Sequence, residues 1–242
     1  MGTSPPNPEE LLARSELFHG LNQSALHAFL QIAASRTYSA REFLARQGER
    51  ATQLSLVISG LGKFCDTTSE GDQLILGWLR EGEVCGLGAL LGYSTTYMLS
   101  AQAMKDCQVL QWSSPTLRDM VSYYPGLITN ALKIGMASTG IALERLRLMA
   151  TESVERRLAV LVTESAEQIG RRTSLGFELS LGDQELAEVA GTSLFSVSRV
   201  LQHWERRGYL TKSRGRILIH NGSNLSQLVK ASRTLDTQPG AS

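Results

Sequence analysis

The chain has 242 residues, 42% of them hydrophobic and 19% charged, enough apolar material for one large core or two smaller ones, which excludes a disordered polymer. Its formal net charge of +1 gives no overall pull toward nucleic acid, so any such affinity must come from where the charges sit. Cys65, Cys85 and Cys107 stand far apart with no zinc or iron-sulfur spacing, which predicts buried thiols and no metal or cofactor.

Residues 1–10 read as a disordered start with no secretory leader, and no stretch of about 18 apolar residues follows, so a cytoplasmic protein is expected. Leu11, Leu12, Leu17 and Phe18, then Leu26, Phe29, Leu30 and Ala33, recur at helical spacing and predict a helical cap. From Tyr38 to about Trp112 the texture changes to short apolar runs, such as Leu54 to Ile58, Leu74 to Leu76 and Val109 to Trp112. Gly48, Gly60, Gly62, Gly71, Gly82, Gly86 and Gly92 punctuate them, which predicts an antiparallel roll or barrel. Pro115 starts a short helix, and a first domain is placed at 11–124.

A long helix is predicted from Gly126. Ile128, Leu132, Gly135, Thr139, Ala142, Leu146 and Met149 fall at alternating four- and three-residue steps, the seam of a two-stranded coiled coil, or else a face packed on the helix's own roll. Residues 125–152 are thus a dimerisation helix with its hinge at Thr151 to Ser153. Val154, Leu158, Leu161, Val162 and Ile169 then open a new amphipathic pattern within a domain at 153–222, and 223–242 is a tail. The fold class is α+β.

The stretch from Leu179 to Ile219 carries the chemistry. Asp183 to Ala190 predicts one helix, Gly191 to Ser193 a tight turn, and Leu194 to Arg206 a second helix with Val197, Val200, Leu201 and Trp204 inward: a helix-turn-helix. Ser193 suits an N-cap that turns free backbone N–H groups toward phosphate. Tyr209 to Lys212 and Arg216 to Ile219 flank a turn at Gly215 and predict a hairpin wing. Between Arg199 and Arg216, the cations Arg199, Arg206, Arg207, Lys212, Arg214 and Arg216 are opposed only by Glu205, a bias that favours a phosphate-facing surface.

This layout, with Glu16 to Leu21, Arg46-Gln-Gly-Glu49, Leu56 to Gly60, Gly82 to Gly86, Glu185-Leu-Ala and Ser196 to Leu201, resembles the catabolite activator/fumarate-nitrate regulator (Crp/Fnr) superfamily over roughly Leu12 to His220. The resemblance implies a cyclic-nucleotide-binding-type β-roll, a dimer helix and a winged helix-turn-helix whose second helix enters the major groove of double-stranded DNA. It places base reading at Leu194, Phe195, Ser198 and Arg199. Ser198-Arg199 matches the fumarate-nitrate branch, while Leu194-Phe195 replaces the Arg-Glu pair of the catabolite activator, so the operator should differ from both familiar half-sites. Arg199 can pair with a guanine, and Leu194 or Phe195 can touch a thymine methyl. With Ser193, Ser196, Lys212 and Arg214, these make up the expected DNA-binding set.

The same resemblance tests the sensor. Leu87 stands where the ribose-binding glutamate belongs, Leu99-Ser100 where an Arg-Ser pair holds the phosphate, and Ala142-Leu143 where polar groups meet the base. A cyclic nucleotide would find no cation there, so cyclic AMP is not the expected effector. What remains is an apolar effector site at Gly86, Leu87, Leu99, Ser100, Ala142 and Leu143, or no effector at all. The implied partners are DNA, a second copy of the chain, RNA polymerase and an unidentified small molecule. An enzyme is not expected. Two alternatives stay open: a nicotinamide-dependent oxidoreductase using Gly86 to Gly92 as a GxGxxxG fingerprint with Asp106, and a regulator switched by oxidation of Cys85 or Cys107.

Overall fold

Asn7 and Asn22 each cap a short helix, accepting from Glu9 N and Ala25 N, and so start α1 (Pro8–Arg14) and α2 (Gln23–Gln31). The computed structural model describes residues 7–68, 73–91, 95–221 and Leu225. Most of the expected start and tail, with Gly71 and Gly92, lies outside the described residues.

Among the described residues eight strands follow: β1 (Ala34–Tyr38), β2 (Phe43–Ala45), β3 (Gln53–Ser59), β4 (Gly62–Thr67), β5 (Gln73–Leu79), β6 (Val84–Cys85), β7 (Ser100–Ala103) and β8 (Cys107–Ser113). They form two four-stranded sheets ordered β1-β8-β3-β6 and β2-β7-β4-β5, with antiparallel pairing of β8 to β1 and β3, and of β7 to β2 and β4. The expected roll is present.

β3 is buried along most of its length because both of its faces are covered. Leu54, Leu56 and Ile58 join a core shared with the helical cap, while Val57 joins the interior of the roll. In the shared core Phe18, Phe29 and Trp112 pack ring to ring at 5.1 to 6.1 Å between centroids, and Trp112 Nε1 donates to Phe29 O at 2.8 Å. The roll interior holds Val57, Val109, Ala101 and Cys107, with Tyr38, Phe64 and Tyr97 packed against them.

After α3 (Ser114–Tyr123) comes α4 (Gly126–Thr151). Its first half packs Leu127, Ile128, Ala131 and Ile134 on the shared core, and buried Asn130 donates through Nδ2 to Leu17 O at 3.0 Å and His19 O at 2.8 Å. The chain divides into two compact units, and the boundary falls inside this helix, between Ala142 and Leu143.

Ser153 accepts from Arg156 N and so starts α5 (Val154–Ile169) directly after the end of α4. The second unit continues with β9 (Arg171–Arg172), β10 (Gly176–Leu179), α6 (Asp183–Ala190), α7 (Leu194–Arg206), β11 (Leu210–Ser213) and β12 (Arg216–His220), its sheet ordered β11-β12-β10-β9. β9 and β10 had not been expected. Gly176 allows β10 to pair with β12, since a Cβ there would lie 1.8 Å from Ile219 O.

Candidate nucleic-acid interface

α6 begins where Glu185 Oε2 accepts from Gly182 N at 2.8 Å, and it ends at Gly191 in the left-handed region (φ 56, ψ 51). A side chain at Gly191 would also crowd Met149 Cε, at 3.0 Å from the added Cβ. Buried Arg157 closes the turn: its Nε donates to Ala190 O at 2.7 Å, with Nη2 and Nη1 at 3.5 Å from Gly191 O and Met149 O. A cation at the C-terminal carbonyls of α6 complements the helix dipole. Sequence reading gave Arg157 no role, because its partners Ala190 and Gly191 stand 33 and 34 positions later.

α7 starts at the expected cap. Ser193 Oγ accepts from Ser196 N at 3.2 Å and lies 3.0 Å from Ser196 Oγ. Val197, Leu201 and Trp204 are fully buried, and Trp204 Nε1 donates to Glu155 Oε1 at 2.9 Å, which fastens α7 to α5. The opposite face is open. Phe195 is 75% exposed, Leu194 and Arg199 are exposed, and the Arg199 guanidinium carbon lies 6.0 Å from the Phe195 ring centroid. Ser198 shares this face, as does exposed Gln202, which sequence reading missed although its helical spacing from Ser198 and Arg199 marks it.

The wing charges differ from the expectation in one respect. Lys212 Nζ sits 2.7 Å from Asp183 Oδ2, and Lys212 N donates to Glu205 Oε1, so this lysine fastens β11 to α6 and its charge is met inside the unit. Arg216 likewise lies 3.6 Å from Glu178, which also pairs with Arg171 at 3.1 Å. Arg214 remains exposed beside Gly215 at the hairpin tip, and Arg199, Arg206 and Arg207 are exposed along or just after α7.

The residues expected to line an apolar effector site fall in different surroundings. Gly86 (φ 87) sits where a Cβ would be 2.3 Å from Gln53 O, and Leu87 packs on the shared core rather than in the roll interior. Ser100 Oγ accepts from Gln47 N at 3.1 Å, and Leu99 is half-buried beside it. Tyr97 lines the space next to Gly86, its OH donating to Gln53 O and accepting from Gln53 N. Ala142 and Leu143 are exposed on α4.

The fingerprint reading fails on structure. Gly86 follows a two-residue strand and leads into a five-residue 3-10 segment, Leu87–Leu91, where a dinucleotide site needs a full helix between parallel strands. The redox reading also loses ground, because burial pushes the Cys85 thiol up to about 12 and also raises that of Cys107. Buried, protonated thiols are poor nucleophiles.

A family model for the cyclic nucleotide-binding domain matches residues 35–124, and one for the Crp-like helix-turn-helix domain matches residues 152–228. The chain belongs to the Crp/Fnr superfamily of DNA-binding transcription regulators. It is 23% identical over 195 residues to the fumarate nitrate reduction regulatory protein of Klebsiella oxytoca, covering 79% of this chain and 77% of that one. It is 23% identical over 199 residues to the cAMP-activated global transcriptional regulator CRP of Salmonella typhimurium, covering 82% and 94%. The fold of the c-di-GMP-responsive regulator CLP of Xanthomonas campestris superposes with a TM-score of 0.74 at 21% identity, over 83% of this chain and all of that one. No helix among the described residues is long and apolar enough to cross a membrane.

Proposed function

We propose that this regulator reads a specific operator as a homodimer, with the first turns of α7 in the major groove. The observation that carries the reading is the division of α7 into a fully buried face and an open face that presents Leu194, Phe195, Ser198 and Arg199 at its N-terminal end. Arg214 on the wing and the Ser193 end of the helix serve phosphate. Promoter DNA, RNA polymerase and a cytoplasmic place of work belong to the same reading, which family membership supports.

The second copy is supported by α4. Leu132, Met136, Leu143 and Leu146 are 62–67% exposed, and with exposed Thr139 they step by four and three residues along one stripe. Leu132, Thr139 and Leu146 were expected there. Ile128 instead packs on the shared core, half-buried Met149 lies beside Gly191, and Met136 and Leu143 supply the bulk that Gly135 and Ala142 lack. Selection from random duplex DNA should return an inverted repeat with half-sites about 10 base pairs apart, as for two-fold helix-turn-helix dimers. The Leu143→Asp/Leu146→Asp variant should sediment as a monomer and lose that site. Enrichment of a single unrepeated site would refute the dimer, and no enrichment at all would refute the DNA reading.

For the sensor, CRP is cAMP-activated and CLP is c-di-GMP-responsive, but Leu87 and Leu99 offer neither a cation nor a hydrogen-bond donor to a cyclic phosphodiester. Cyclic AMP should therefore leave both the melting temperature and operator affinity unchanged. A saturable upward shift in melting temperature would overturn this part of the reading.

A further inference from the structure

A helix that reads base edges works through hydrogen-bonding groups or through apolar surface. The first turn of α7 offers mainly the second. Leu194 is 48% and Phe195 75% exposed, whereas the Ser193 hydroxyl is committed to the cap, facing Ser196 N and Ser196 Oγ. The apolar feature that a major groove holds out to such a surface is the C5 methyl group of a pyrimidine. One helical turn on, Arg199 lies on the same face with its guanidinium 6.0 Å from the Phe195 ring, so the arm that can pair with guanine and the ring that can cover a methyl are side by side. On a helix lying in the groove, two groups so close can reach adjacent base pairs of one half-site.

We propose that the first turn of α7 is a methyl reader: Leu194 and Phe195 take the C5 methyl of a pyrimidine next to the guanine bound by Arg199, and accept 5-methylcytosine in place of thymine. This rests on the DNA reading above. Thymine carries an O4 acceptor and 5-methylcytosine an N4 donor, but leucine and phenylalanine have no group that senses the difference. Uracil and cytosine, which lack the methyl, give the ring nothing to cover. Cytosine methylation would therefore create or strengthen sites for this regulator.

The test uses the full chain and four versions of the selected operator, altered at the same position in both half-sites: thymine, deoxyuridine, 5-methylcytosine paired with guanine, and cytosine paired with guanine. Removing one buried methyl should weaken binding roughly fourfold per half-site, and so about fifteenfold for the symmetric site. The 5-methylcytosine duplex should bind at least several-fold more tightly than the cytosine duplex. Phe195→Ala, a truncation at an exposed position that leaves the core intact, should bring the thymine-to-deoxyuridine ratio close to one while keeping the guanine preference. Operator binding that is equally tight with deoxyuridine at every thymine would overturn the inference and leave the DNA reading standing, as would a ratio that survives Leu194→Ala/Phe195→Ala. Failure to select any operator would bring down both.

Discussion

Arg199→Ala is expected to cost about 1–3 kcal/mol per half-site at the selected operator and to relax preference at one base pair, because the proposed bidentate arginine–guanine pair would be lost. The expectation follows from how firmly α7 is held. Its inner face is buried through Val197, Leu201 and Trp204, and the Trp204 indole is bonded to Glu155, so in the proposed complex the outer side chains would meet DNA from a fixed helix. Among the described residues Arg199 has no ion pair to give up, its neighbour being the Phe195 ring. Arg214→Ala should behave differently, weakening all sequences alike and lowering the slope of the salt dependence by about one for each phosphate that is no longer neutralised. Titrations against single-base operator variants at two salt concentrations separate the two. Unchanged specificity after Arg199→Ala would show that α7 does not lie in the groove in this way.

Arg157→Met should destabilise the second unit although it creates no large cavity. The methionine replaces the aliphatic stem but leaves Ala190 O, at the end of α6, without its charged donor. Burying a guanidinium whose partners are carbonyls carries a desolvation cost that the variant escapes, yet an unsatisfied buried carbonyl and an uncompensated helix end weigh more. The net loss is about 1–3 kcal/mol, equivalent to a melting temperature lower by roughly 5–15 °C for a unit of this size. Operator affinity should fall with it, since Arg157 holds the turn that aims α7. A melting curve and an operator titration check this, and an unaltered transition would show that the guanidinium contributes no net stability.

Legibility in the sequence followed the range of the interactions. α6, its turn and α7 were readable because a capping serine, a turn glycine and a 3.6-residue apolar period are all local signals, and the glycine-punctuated roll was readable for the same reason. The register of the α4 stripe was not, because two neighbouring stripes share Leu132, Thr139 and Leu146, and only the packing of Ile128, Ala131 and Ile134 on the shared core decides which one faces outward. Lys212 looked like a phosphate contact because its partner, Asp183, stands 29 positions earlier. β9 and β10 are two and four residues long, and they exist because β12 comes back to pair with β10.

The Trp204–Glu155 bond has an optical consequence. The chain holds three tryptophans, of which Trp78 and Trp112 belong to the first unit and Trp204 to the second. Trp204 is a fully buried indole bonded to a carboxylate, and its emission should move to the red as the DNA-reading unit opens. In a Trp78→Phe/Trp112→Phe protein the remaining fluorophore reports that unit alone, and the complementary Trp204→Phe protein reports the roll. Comparing the two emission traces along one denaturant series shows whether the sensor and the reader unfold as one cooperative body or as two.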